Sequence, residues 1–257
     1  EEGEERMRAI IRAAGYATRL YRLTVHTPKA LLTIHQKPII DYILEQMETL
    51  PALDEIYVIS NHKFYDQFVA WAKTVQSSKP ITVLDDGTTS EETRRGAIGD
   101  ILFVIEKQQI DDDLLVIAGD NLFTFSLLDC YHYFQEMGKD CVCVKAYEDR
   151  EALKSFGVAQ LDASGKIIGL EEKPAEPKSN LAVFATYLYR RDTLPLFHQY
   201  IAEGNKPDAP GYFVEWLYQH RDVYAYVFEE ECYDIGTEKS LREVSALFEA
   251  RAKQAQS

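Results

Sequence analysis

Met7–Leu32 reads MRAIIRAAGYATRLYRLTVHTPKALL, and this stretch decides the fold. Ala9, Ile10 and Ile11 carry the signal of a short apolar strand ending near Ala13. Ala13-Ala14-Gly15 follows directly, and side chains that small let backbone N–H groups approach a ligand closely, as phosphate-holding turns require. Arg19 and Lys29 then place two cations ten residues apart. A strand, a small-residue turn and fixed positive charge together suit a polyphosphate. The turn is neither a Walker loop, since no GK[ST] follows, nor a GxGxxG dinucleotide fingerprint.

Outward from that turn, β-branched runs alternate with amphipathic helical patterns, the signature of an α/β sheet. Strands are predicted at residues 9–13, 55–60, 81–84, 114–118 and 141–146, with helices at 38–50, 64–75, 96–107 and 127–137. Ile39, Ile40, Ile43, Leu44 and Met47 follow the spacing of a helix with one buried face. Beyond about residue 150 the rhythm becomes hairpin-like: strands at 157–161 and 167–172 around Ala163-Ser164-Gly165, then another at 180–189. Helices at 194–203 and 212–220, a strand at 224–228 and a charged helix at 238–253 complete the chain. The polar stretch 87–95 reads as a lid or a solvated connection. One domain over 7–257 is expected, with 7–125 presenting the phosphate turn and 126–257 the opposite wall. Residues 1–6, EEGEER, read as an acidic extension or cloning remnant.

The 257 residues can bury one substantial core. Net charge is −14, and −11 without the first six residues. With no basic cluster to neutralise a phosphate backbone, nucleic acid is not an expected partner. An acidic protein still binds a triphosphate if a few cations and a metal ion gather in one cleft. No apolar run reaches the roughly 18–20 residues of a membrane span, and no signal-peptide pattern opens the chain. Cys130, Cys141, Cys143 and Cys232 form no CxxC, so they read as reduced, buried thiols in a cytoplasmic protein.

Two acids complete the candidate chemistry. Leu114–Asn121 is an apolar strand ending in Gly119-Asp120, which puts Asp120 at the carboxyl edge of a sheet, where open α/β sheets bind ligands. It suits a Mg²⁺ ligand, or alternatively a helix cap. Asp234, in Tyr233-Asp234-Ile235-Gly236-Thr237, offers the same two readings. Glu171-Glu172-Lys173-Pro174 closes a strand and is either functional or a surface ion pair.

In this order and at these separations, RAAGYATRL, PK at 28–29, GD at 119–120, EEKP at 171–174 and DIGT at 234–237 make the chain resemble the sugar-phosphate nucleotidylyltransferases, the family that includes the glucose-1-phosphate thymidylyltransferases. The resemblance runs from Met7 to the last helix. It implies a Rossmann-like mixed, mostly parallel central sheet flanked by helices. It also implies the condensation of a nucleoside triphosphate with a sugar-1-phosphate, releasing pyrophosphate. Residue by residue, Ala14, Gly15, Thr18 and Gly96 would border the nucleotide, with Gly96 against the base. Arg19 and Lys29 would bind the triphosphate and stabilise charge at the α-phosphorus, and Asp120 and Asp234 would hold Mg²⁺. Gly157 and Glu172 would meet the sugar, and Lys173 its phosphate. Homo-oligomers are common in the family.

The chain departs from the family pattern at Ala17, which replaces a glycine and fits if its φ is negative. Arg12 stands for a leucine, Arg22 for a proline, Asp85-Asp86-Gly87 for a glutamine-bearing base loop, and Phe184-Ala185 for Thr-Gly. These changes bear on base and sugar identity more than on the reaction. A CTP-dependent cytidylyltransferase for phosphocholine or a similar alcohol is the nearest alternative, with Tyr187, Tyr212, Phe213 and Trp216 as a cation cage or simply core. A non-catalytic nucleotide-sugar-binding protein is another, and a nicotinamide-dependent dehydrogenase a distant third.

Overall fold

The structure, a computed structural model, describes residues 5–233 and 235–257. Its first part runs β1 (Met7–Ala13), α1 (Tyr21–Thr24), a ribbon of β2 (Thr33–Ile34) and β3 (Lys37–Pro38), and α2 (Ile39–Met47). It continues through β4 (Leu53–Ser60), α3 (Tyr65–Thr74), β5 (Ile81–Asp85), α4 (Ala97–Lys107) and β6 (Asp113–Ala118). The second part holds β7 (Leu122–Phe123), α5 (Leu127–Met137), β8 (Asp140–Ala146), α6 (Arg150–Leu153), β9 (Gly157–Leu161) and β10 (Ile167–Glu172). After these come β11 (Leu181–Tyr189), α7 (Pro195–Ala202), α8 (Pro210–Leu217), β12 (Val223–Val227), β13 (Cys232–Tyr233) and α9 (Glu238–Ala255). The elements read from periodicity are all present, displaced by a few residues at their ends.

One nine-stranded mixed sheet crosses both parts. β5, β4, β1 and β6 lie side by side in parallel, and β11 joins β6 antiparallel. β11 also pairs antiparallel with β8 and, through Leu181–Val183, with β9 of the β9–β10 hairpin; β12 runs parallel to β8. The period-two pattern of β1 sorts its side chains between two cores. Ala9 and Ile11 pack with α2 and α5 residues, while Ile10 packs with Ile98, Ile101 and Val104 of α4. Each such Ile or Val, fully buried, contributes roughly 1.5–3 kcal/mol. β8 obeys the same alternation: Cys141 and Cys143 enter one core and Val142 and Val144 the other. Among the described residues no disulfide joins the four cysteines, and Cys232 is only partly buried.

A buried carboxyl fixes the return of β11 against β8. Asp140, 1% exposed, accepts from the Arg190 N–H at 2.7 Å and from the Thr193 hydroxyl at 2.8 Å. Burial pushes its carboxyl up to about 6. Asp140→Ala strips two interior donors of their acceptor and is expected to cost about 1–3 kcal/mol, read as a lower urea midpoint at unchanged slope. Asp140→Asn, which keeps an acceptor, should cost less.

Candidate active site: a cationic cleft at the carboxyl edge of the sheet

β1 lies between two parallel neighbours whose ends finish level with its own: Ala13 pairs with Ser60 of β4 and Arg12 with Ala118 of β6. Turns leaving these ends therefore face one crevice, as at the switch point of open α/β sheets. The crevice is a cleft of ≈ 390 Å³, and Gly15, Thr18, Arg19, Lys29 and Asp120 all line it, as the sequence predicts. A Cβ on Gly15 would meet no atom within 4 Å, so its backbone is open to a ligand. Ala14 lies just beneath, 8% exposed. Its carbonyl accepts from the Asn61 side-chain amide at 3.1 Å, and the Asn61 side-chain carbonyl accepts from the Phe64 N–H at 3.0 Å. Asn61 thus braces the turn from the end of β4. Sequence reasoning missed it, although an Asn closing the apolar run Ile56–Ser60 was a visible signal.

Ala17 corrects one expectation. Its φ is +46° with ψ 52°, a left-handed conformation rather than a negative φ. Its carbonyl accepts from the Leu20 N–H and the Thr24 hydroxyl, both at 3.0 Å. These bonds hold the short 3₁₀ turn that presents Arg19, and they offset the roughly 1–2 kcal/mol that a Cβ costs in this region.

Lys29 and Asp120 meet across the cleft, Nζ to Oδ2 at 3.0 Å. Asp120 sits in the turn after β6, and the next helix, α5, is capped by Ser126 instead, whose side chain accepts from the Asp129 N–H. The helix-cap reading of Asp120 therefore falls. Gly119 is forced by close approach: a Cβ there would lie 3.0 Å from Ile11 and 3.1 Å from the Arg12 carbonyl oxygen. β13 pairs Tyr233 with Leu122, and Gly236 lines the cleft beside Asp120. Asp234 itself lies outside the described residues. The cap of α9 is supplied by Thr237, whose side chain accepts from the Ser240 N–H. Among the described residues no group of three or more His, Cys, Asp or Glu could hold a metal alone.

The remaining predicted residues form other clusters. Gly157 and Glu172 face each other across the β9–β10 pair. Glu172 is wedged between glycines, since a Cβ on Gly157 or Gly211 would come within 3.0 or 1.7 Å of its Oε2. Its N–H donates to Glu215 Oε2 at 3.0 Å, and burial raises its carboxyl above the usual range. Lys173 is exposed at φ +47°, its N–H donating to the Phe156 carbonyl. Gly96 opens α4 at φ +79° with its α-carbon against the Pro207 carbonyl, outside the cleft lining. Phe213 stacks on Phe197 at 3.9 Å between centroids, and Trp216 stacks on Phe213; Tyr187 is 3% exposed. Tyr187 and Phe213 are thus core, while Trp216 and Tyr212 are partly buried against it, with Lys206 Nζ over the Tyr212 ring.

The loop after β5 reaches the cleft through Glu91 and Arg94, which pair with each other. Its base is buried. Asp86 accepts from the Thr88 N–H at 2.8 Å and hydroxyl at 2.6 Å, Arg95 Nε donates to the Asp86 carbonyl, and the Tyr16 hydroxyl donates to the Thr88 carbonyl. Asp100 of α4 lies behind, 6% exposed, and burial together with the neighbouring Asp86 carboxylate pushes its carboxyl up to about 8. Asp86 Oδ2 and Asp100 Oδ1 are both buried without a hydrogen-bond partner, and a proton held between the two acids would satisfy both.

The nucleotidyl transferase family profile matches residues 8–251, and the chain belongs to that family. It is 34% identical over 193 residues to the bifunctional protein GlmU of Methanocaldococcus jannaschii, covering 75% of this chain and 42% of that protein. It is 29% identical over 262 residues to a glucose-1-phosphate thymidylyltransferase of Streptomyces griseus, covering 94% and 66%. The chain thus spans roughly half the length of several curated relatives that it matches. A solved structure of UDP-glucose pyrophosphorylase complexed with UDP-glucose superposes with a TM-score of 0.80 over 96% of this chain and 99% of that one, at 19% identity, and shows the shared fold.

Two outcomes follow from the loop geometry. Ala17→Gly relieves the left-handed alanine and is expected to raise stability by up to about 1 kcal/mol, a melting shift of roughly 2–4 °C per kcal/mol. Asp100 binds its proton more tightly folded than unfolded, so its contribution is present at acid pH and is lost as pH rises from about 4 to about 8. Asp100→Asn keeps a donor toward Asp86 at every pH. Melting curves from pH 5 to 9 should fall less steeply for that variant than for the parent, and parallel curves would contradict the shared proton.

Proposed function

We propose that this protein condenses a nucleoside triphosphate with a sugar-1-phosphate, forming a nucleotide sugar and releasing pyrophosphate. The observation that carries this reading is the meeting of Gly15, Arg19, Lys29 and Asp120 around one cleft at the carboxyl end of β1. Residues 7–125 bind the nucleotide and 126–257 the sugar phosphate. The sugar-phosphate oxygen attacks the α-phosphorus in line, and no covalent nucleophile from the protein is needed. Open backbone at Gly15 and the side chain of Thr18 take up the triphosphate, while Arg19 and Lys29 neutralise charge as it builds on the α-phosphate. Glu172 accepts from sugar hydroxyls beside Gly157, and Lys173 faces the sugar's phosphate.

Asp120 suits Mg²⁺, which commonly takes one or two carboxylates and completes its octahedron with water and substrate phosphate; Asp234 is proposed as the second carboxylate. Bound there, the ion would polarise phosphate oxygens and screen their charge. With the Asp120 carboxylate so engaged, Lys29 would be free to turn toward phosphate.

The phosphocholine reading loses its support, because Tyr187 and Phe213 are buried, Trp216 stacks on Phe213, and the partly buried Tyr212 already carries Lys206 Nζ over its ring at 5.3 Å. A non-catalytic binder would not need the whole set of Arg19, Lys29 and Asp120. A panel of triphosphates against sugar-1-phosphates and phosphocholine, read by pyrophosphate release, tests the proposal. Arg19→Ala is expected to lower turnover at least tenfold, and on the scale of other preorganised charge contacts by about a hundred- to a thousandfold. Its melting temperature should stay put, since Arg19 is exposed. Unchanged kinetics would remove Arg19 from the reaction.

A further inference from the structure

Two crowded glycines of this fold answer to backbone. A Cβ on Gly96 would lie 2.5 Å from the Pro207 carbonyl oxygen, and one on Gly119 would lie 3.1 Å from that of Arg12. Gly211 has a different reason. It is buried at the second position of α8, without a positive φ, where alanine would be the more stable helical residue. The three atoms nearest a Cβ there all belong to one side chain: Glu172 Oε2 at 1.7 Å, Cδ at 2.7 Å and Oε1 at 3.5 Å. The space that Gly211 leaves is filled by a carboxylate. α8 holds Glu172 in a second way, because Glu215, one turn further on the same helix face, accepts the Glu172 N–H at 3.0 Å. β10 stands at the end of the strand order, so this N–H bonds a side chain in place of a neighbouring strand. On the opposite side Gly157 of β9 leaves room as well, since a Cβ there would lie 3.0 Å from Oε2. The next residue is pinned too, the Lys173 N–H donating to the Phe156 carbonyl at 2.9 Å.

We propose that Gly211 is a positioning residue for the sugar site: bearing no side chain, it leaves the seat in which α8 holds the Glu172 carboxylate for sugar hydroxyls. The assignment rests on the proposed reaction and on Glu172 serving it. A larger residue at Gly211 would press on the far end of a flexible side chain, not on backbone. The fold therefore accommodates an alanine by turning the carboxylate aside, and the loss falls on the site. An ionised carboxylate is acceptor-only and makes the stronger, charge-assisted kind of hydrogen bond with a hydroxyl, so its direction decides how well a sugar is held.

Steady-state kinetics and melting curves of the full chain with Gly211→Ala, Glu172→Asp and the two combined test it. Gly211→Ala should raise KM for the sugar-1-phosphate by about tenfold or more, the scale of one hydrogen bond to a charged group. KM for the triphosphate should stay within about twofold, and the variant should melt close to the parent. Asp is one methylene shorter and withdraws from Gly211. Adding Gly211→Ala to Glu172→Asp should therefore change KM for the sugar phosphate by less than about twofold, the non-additivity expected of two residues in contact. An unchanged KM for the sugar phosphate in Gly211→Ala overturns the proposal. So does an equal rise for both substrates, and so does the same rise in the Glu172→Asp background. A chain with Gly211→Ala that melts far below its background with Asp as well as with Glu at position 172 also overturns it, because the crowding then lies elsewhere. If no substrate pair releases pyrophosphate, the proposed reaction itself fails. Calorimetric titration with glucose-1-phosphate then decides separately: binding weakened about tenfold by Gly211→Ala in the parent but not in the Glu172→Asp background upholds the seat, and equal binding, or none by the parent, rejects it.

Discussion

Everything at the cleft depends on β1 being held parallel between β4 and β6. That pairing places three strand ends level, with Ala13 beside Ser60 and Arg12 beside Ala118. A parallel strand with neighbours on both sides must be apolar on both faces, which Ala9, Ile10 and Ile11 satisfy by dividing between two cores. A slip of one residue would exchange the faces and put Arg12 where Ala13 now packs. Register, not the turn's own preference, therefore decides which side chains look into the crevice.

The turn itself shows how much the framework overrides local chemistry. Ala17 has no intrinsic reason to be left-handed, yet Asn61 grips the Ala14 carbonyl from one side and Thr24 grips the Ala17 carbonyl from the other. Between those two bonds the chain has little choice. Sequence order alone could not show this, because Asn61 and Thr24 act through side chains whose partners are known only after folding. The same holds for Gly119, where the Ile11 and Arg12 contacts forbid a Cβ.

The strands and helices were legible because each buried face follows its period: two in β1 and β8, near 3.6 in α2 and α4. The convergence of the small-residue turn, Lys29 and Asp120 on one cleft was legible because small residues, cations and a strand-end acid have few other reasons to occur in that order. Less readable were contacts between distant loops. Gly96 packs against Pro207, a contact that the sequence does not show, and Tyr187 and Phe213, more simply core than cage in the sequence, are seen to be core once their burial and stacking are known. Composition cannot tell a packed ring from an exposed one, since both carry the same side chain.

Charge explains the remaining logic of the cleft. The protein is acidic overall, so a polyanion approaches against the average field and is held only where cations concentrate. Lys29 is partly spoken for by Asp120, and Arg94 by Glu91. Such pairs keep the cations from being buried uncompensated, and under the proposed reaction they would exchange partners, the carboxylate suiting a metal ion and the ammonium a phosphate. Arg19 is exposed and pays little for being alone. Arg12 is half-buried at the same cleft, its Nε without a hydrogen-bond partner.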